Sequence, residues 1–151
     1  MAAMETGLTN RRRACYECIV FLVAVQYDLI SQEAKKELIP AAKKRDVGVI
    51  AGTPFRQGVM VSKKTPEYLR AEGYDDQMIR RAQAIYRIAD ETGISLVELS
   101  IRYLISDPDV DCVAIGAQTA EQLDMNVEAL KKGPLSADIL DEIEKAGSAG
   151  E

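Results

Sequence analysis

A chain of 151 residues, 47% hydrophobic and 28% charged, has the make-up of a soluble globular protein with enough mass for one real core. A net charge of −5 argues against general nucleic-acid binding, which favours a basic face. The sequence contains no histidine, so Ser-His-Asp, Cys-His and histidine-based metal chemistry are excluded.

Residues 1–14 read as a disordered start carrying the basic run Arg11-Arg12-Arg13. Cys15-Tyr16-Glu17-Cys18 has CxxC spacing, but a zinc site needs a second ligand pair and Cys112 stands alone. A redox dithiol would open a helix after a strand, whereas this motif precedes an apolar run. Reduced thiols are the simpler reading, and no metal site is expected. The run Ile19 to Val25 is too short to span a bilayer. No small-residue cleavage site follows it, so it is not read as a signal peptide. The expected location is the cytoplasm, with no membrane or nucleic-acid partner.

Ile19 to Tyr27 is apolar on both faces, the pattern of a parallel strand buried on both sides. Gln26, Tyr27 and Asp28 mark its carboxyl end, where parallel α/β architectures bind ligands. Ser31 is expected to cap a helix from about Gln32 to Arg45, kinked at Pro40. Lys43, Lys44 and Arg45 then sit at the negative end of its dipole.

Val47 to Ala51 reads as a second strand, running into the loop Gly52-Thr53-Pro54-Phe55-Arg56-Gln57-Gly58. Such a loop can bring backbone N–H groups and Arg56 to an anion, or be an exposed turn with a solvated arginine. Pro66 opens a short helix ended by Gly73. Asp75 or Asp76 caps a longer one to about Glu91, with an apolar stripe at Met78, Ile79, Ala82, Ile85, Tyr86 and Ala89. Capping accounts for these aspartates better than an acid/base couple does. Ser95 and Glu98 form a capping box for a helix through Ile105, stopped by Asp107-Pro108. Asp109 and Asp111 precede a third strand, Cys112 to Ile115, at the end that reads as structural.

Gly116 breaks that strand, and Thr119 with Gln122 forms a capping box for a helix to about Lys132. Remaining first-turn N–H groups, backed by the dipole, make a seat for a phosphate. The stretch also reads as an ordinary capped βα connection. Gln122 and Asn126 share one helix face. Gly133-Pro134 ends this helix, and Ser136 caps a last one to about Ala146.

Right-handed crossovers make the three strands parallel neighbours. The expected fold is α/β, a partial (β/α)8 TIM barrel of about three parallel strands with flanking helices. Three strands cannot close such a barrel.

Laid out this way, the chain resembles the carboxyl-terminal part of an aldo/keto reductase from about Val25 to Gly147. Gln26-Tyr27 resembles a strand end whose Gln bonds the nicotinamide amide. Gly48 to Gly58 resembles the strand and SPL-x-x-G loop beside the pyrophosphate. Leu96 to Pro108, then Cys112 to Asn126, resemble the family's ALRW-LL-x-DP helix, IPGA strand and T-x-EQL-x-x-N helix. Gly133 to Ser136 matches its GPLS. The resemblance implies a domain over residues 19–147, with an atypical segment 1–18 before it and a tail 148–151.

It further implies an NAD(P)(H)-dependent oxidoreductase acting on aldehydes and ketones, with NADP(H) or NAD(H) as cofactor. Gln26 would meet the nicotinamide. Gly52, Thr53, Pro54, Phe55, Arg56 and Gly58 would form the cofactor loop, with Thr53, Phe55 and Gly58 along the pyrophosphate. Gly116, Ala117, Gln118 and Thr119 would hold the adenosine ribose or its phosphate, and Gln122 and Asn126 the adenine. The family's catalytic Asp, Tyr, Lys and His come from its second to fourth strands, and no stretch of this chain corresponds to them. Gly52 stands where many relatives stack an aromatic on the nicotinamide, and Gln118 where a basic residue meets the 2′-phosphate.

The expected partners are therefore a dinucleotide, a carbonyl substrate if the remaining strands are supplied, and a second copy or a complementing chain. The alternatives are a non-enzymatic nucleotide-binding or self-associating module, or an inactive fragment.

Overall fold

The structure is a computed structural model that describes residues 20–148, with side chains through residue 146. The Arg11–Arg13 run, the CxxC pair and Ile19 lie outside the described residues. Three strands, β1 (Val20–Ala24), β2 (Gly48–Gly52) and β3 (Cys112–Ala114), form one parallel sheet in the order β1-β2-β3. Val23 pairs with Ala51, and Ala51 with Val113, so one row of side chains crosses the sheet.

Successive side chains in a strand point to opposite faces. Val23, Val49 and Ala51 are buried in the core, with Phe21 and Val113 partly buried against it. The opposite face is open: Val20 is 44% exposed and Leu22 58%. The expectation of burial on both faces therefore holds for one face only, because the helices cover a single side of this arc. β1 also ends before the expected Tyr27. Val25 has φ 65°, which turns the chain out of the strand.

Residues after Val25 form a tight turn. The Asp28 carboxylate accepts from the N–H groups of Ile30 at 2.7 Å and Ser31 at 2.9 Å. Ser31 belongs to this turn and does not cap a helix. The expected single kinked helix is two short ones, α1 (Glu33–Lys36) and α2 (Leu38–Lys43), broken at Glu37. Pro40 falls in the first turn of α2, where a missing N–H costs nothing, so the break lies ahead of it.

The other helices follow the sequence pattern closely. α3 (Pro66–Ala71) is capped by Thr65, and α4 (Asp76–Thr92) by Asp75, with Gly93 left-handed at its end. α5 (Leu96–Ile105) is capped by Ser95, α6 (Ala120–Lys131) by Thr119, and α7 spans Ala137–Ser148. Ile79, Ala82, Ile85 and Leu99, Leu104 carry the faces of α4 and α5 into the core. Glu98 does not close the capping box. Its carboxylate instead accepts from Arg102 and Lys132 at 2.8 and 2.7 Å, tying α5 to the end of α6. Among the described residues no helix is long and apolar enough to cross a membrane.

Candidate cofactor-binding groove

The carboxyl ends of β2 and β3 open into a groove of about 1060 Å³. Its walls are the loop after β2 and the first turns of α6. That loop follows an unusual path: Thr53, Arg56, Gln57 and Gly58 have φ of 57°, 41°, 52° and 94°. Residues other than glycine, asparagine and aspartate rarely adopt such values, so the fold must hold Thr53, Arg56 and Gln57 there.

Two connections do so. The Val25 N–H donates to the Thr53 hydroxyl at 2.9 Å, and the Arg56 guanidinium donates to the Val25 carbonyl at 2.9 Å. The same guanidinium reaches Asp28 Oδ2 at 3.3 Å, and its carbon lies 5.7 Å from the centre of the Tyr74 ring. Both charged side chains are buried, Asp28 at 0% and Arg56 at 7% exposure. Burial pushes the Asp28 carboxyl above its ordinary range, against Arg56 and the two backbone N–H groups that hold it down.

The expected site residues divide accordingly. Thr53, Pro54, Phe55, Arg56 and Gly58 from the loop, with Gly116, Ala117, Gln118, Gln122 and Asn126 from the β3–α6 connection, border the same groove. The charge of Arg56 does not reach it, however, because the guanidinium turns inward to Asp28. Gly52 lies beneath, where an added Cβ would stand 3.0 Å from the Leu22 side chain. Gln26 is exposed at the end of β1, outside the groove lining, with its carbonyl accepting from Ala34 at 3.0 Å. Thr119 serves as the cap of α6 and accepts from the Gln122 N–H at 3.2 Å.

At this helix start Gln122 reaches back as expected, but to the Gln118 N–H, at 2.8 Å. Glu121 adds its own carboxylate to the helix end. Its backbone N–H and the Thr119 hydroxyl hold that carboxyl below the usual range. An acidic side chain therefore already occupies part of the phosphate seat.

Sequence reasoning missed Val61, Ser62, Lys64, Val97 and Met125, which also border the groove. Lys64 donates to the Ser62 hydroxyl at 2.9 Å and lies 5.4 Å from the centre of the Tyr68 ring. The Lys63-Lys64 pair was the available signal, but nothing local tells which lysine turns inward. Lys63 pairs with Asp90.

Among the described residues, no Asp, Glu, Tyr or Cys borders the groove. The buried phenols are committed elsewhere. Tyr27 donates to Asp107, ahead of β3, and Gln32 donates to the Tyr103 hydroxyl. Burial pushes Tyr103 up to about 12 and Tyr27 higher still. Asp111, also ahead of β3, accepts from the Val49 N–H at 2.8 Å and pairs with Lys43, a structural role.

The model of the Aldo/keto reductase family matches residues 14–148. An L-glyceraldehyde 3-phosphate reductase of Escherichia coli O157:H7 is 29% identical over 141 residues, covering 83% of this chain and 41% of its own length. A probable voltage-gated potassium channel subunit beta of Arabidopsis thaliana is 26% identical, over 80% of this chain and 42% of its own. A pyridoxal 4-dehydrogenase of Microbacterium luteolum is 27% identical, over 70% and 31%. The chain thus spans less than half the length of these relatives.

Proposed function

Because the chain belongs to the aldo/keto reductase family, we propose that its groove binds a nicotinamide dinucleotide and forms the cofactor-binding part of an NAD(P)(H)-dependent oxidoreductase. The observation that carries this reading is the shared groove. The β2 loop and the α6 start are far apart in sequence yet border one cleft of about 1060 Å³, room for an extended ligand. The residues present fit a dinucleotide: a lysine for its phosphates, amides for its base and no carboxylate among the lining side chains.

When bound, the cofactor supplies the hydride, and the protein must supply orientation and a proton donor. Lys64 Nζ would meet the phosphates, since the N–H groups of Arg56, Gly58, Met60 and Val61 already donate to loop carbonyls. Gln122 and Asn126 would orient the base, with Asn126 5% exposed and so fixed in place. Phe55, Val61 and Met125 would shield one side from water. The proton donor would come from the remaining strands of the barrel, together with the carbonyl site. In that arrangement the open face at Val20 and Leu22 becomes covered.

The adenosine end favours NADH over NADPH. Gln118 is uncharged, and Glu121 would repel a 2′-phosphate at the helix start. A second reading, nucleotide binding or self-association without catalysis, is favoured by the lack of a carboxylate or phenol among the groove's lining residues.

Calorimetric titration with NADH and NADPH, beside a carbonyl-dependent oxidation assay, separates these readings. Heat with NADH and no turnover supports the cofactor-binding part; no heat with either nucleotide overturns it. Turnover by the chain alone would overturn the need for further strands.

A further inference from the structure

Asp28 does not border the groove, yet it ends a chain of contacts that leads there. Its carboxylate lies 3.4 and 3.3 Å from Arg56 Nη1. Arg56 Nη2 donates to the Val25 carbonyl at 2.9 Å, the Val25 N–H donates to Thr53 Oγ1 at 2.9 Å, and that hydroxyl donates to the Gly52 carbonyl at 2.7 Å. Loop side chains thus grip the strand-end residue Val25 by both its N–H and its C=O. On the other side Asp28 is anchored by the Ile30 and Ser31 N–H groups. A planar guanidinium with two directed donors is what this geometry needs; an ammonium cannot serve both acceptors in the same way.

We propose that Asp28 is a positioning residue for the groove: through Arg56 it fixes the Thr53–Gly58 wall, and with it the affinity for the dinucleotide. The proposal rests on the nucleotide-binding reading above. Four residues of the wall hold positive φ, so the loop does not keep this path by local preference. A buried ion pair adds little net stability, because desolvation offsets the attraction between the charges. What it adds here is direction, since the fork of Arg56 aims the loop at the strand end.

The test uses the full chain and three variants: Asp28→Asn, Arg56→Lys and the double variant Asp28→Asn/Arg56→Lys. NADH titration is run well below each melting temperature, so that only folded protein is read. Amide hydrogen exchange is followed at Gly58, Met60 and Val61, whose N–H groups bond within the loop region. Asp28→Asn is expected to raise the Kd for NADH about tenfold and to speed exchange at those amides, with α4 unchanged. Arg56→Lys is expected to do the same. The double variant is expected to add little, because both residues act through one clasp.

A merely structural pair would lower melting temperature and leave the Kd of the folded protein unchanged. That result, with unaltered loop exchange, overturns the proposal. Additive losses in the double variant also overturn it. If Asp28→Asn does not fold, Arg56→Lys, which keeps the charge, decides by the same readouts. If the parent chain takes up no NADH, the proposed function fails. The clasp is then decided by exchange alone: selective acceleration in the loop supports it, and uniform or absent acceleration overturns it.

Discussion

The N–H of Val25 donates to the hydroxyl of Thr53 at 2.9 Å, joining the two β-branched residues that hold positive φ among those described. Branching at Cβ makes this region costly, by roughly 1–3 kcal/mol for each residue. Both sit at the carboxyl ends of neighbouring strands, where the two strained backbones brace one another.

Val25 is 46% exposed, so its side chain contributes little to the core. Val25→Asn places a residue that tolerates the left-handed region and keeps both backbone bonds. It is expected to stabilise the fold by about 1 kcal/mol, read as a higher midpoint in urea unfolding. A lower midpoint would mean that the strain is absent.

Glu98 links two helices and makes stability sensitive to acid. Its burial raises its pKa, but the hydrogen bonds from Lys132 and Arg102 outweigh that, and the carboxyl stays below its ordinary 4.5. A depressed folded pKa means the contribution is present above the unfolded value and lost as pH falls through the folded one. Glu98→Gln is expected to cost about 1 kcal/mol at pH 7, and the difference from the parent to shrink as pH falls below 4.5. Denaturant titrations at a series of pH values check this.

Gln118→Arg would bring a guanidinium to the start of α6, proposed to hold the adenosine, where Glu121 now carries the only charge of the first helical turn. The change is expected to tighten NADPH binding by about tenfold and leave NADH within about twofold. Calorimetry with both nucleotides reads it directly; equal gains for the two would show that the arginine meets a shared phosphate.

Leu22 is 58% exposed at the centre of β1 on the open face of the sheet. If that face is covered by another chain, Leu22→Lys will place an unpaired charge in the contact. The expected result is a shift to monomer in light scattering, with monomer stability changed by less than about 0.5 kcal/mol. A parent chain that is already monomeric at high concentration would count against coverage by a second copy.

The caps Ser95 and Thr119, the proline start of α3, a capping aspartate at 75 or 76, the stripe of α4 and the three strands were legible in the sequence. Each depends on neighbours within a turn or two, and periods of 3.6 and 2 record which residues share a face. The groove was half legible. Its loop and helix start could be named from glycines, a proline and a capping threonine, while Val61, Lys64 and Met125 could not.

Arg56 shows where the boundary lies. Beside glycines at a strand end it reads equally as an anion ligand or as a solvated side chain, and local chemistry permits nothing finer. Its partner Asp28 stands 28 residues earlier and meets it only because β1 and β2 are parallel neighbours in register. The sequence by itself determined the elements, their caps and their order, because those are short-range choices. Tertiary structure decided which face of the sheet was covered, which lysine met the groove and which way the arginine turned. Those outcomes depend on distances between segments that no local pattern encodes.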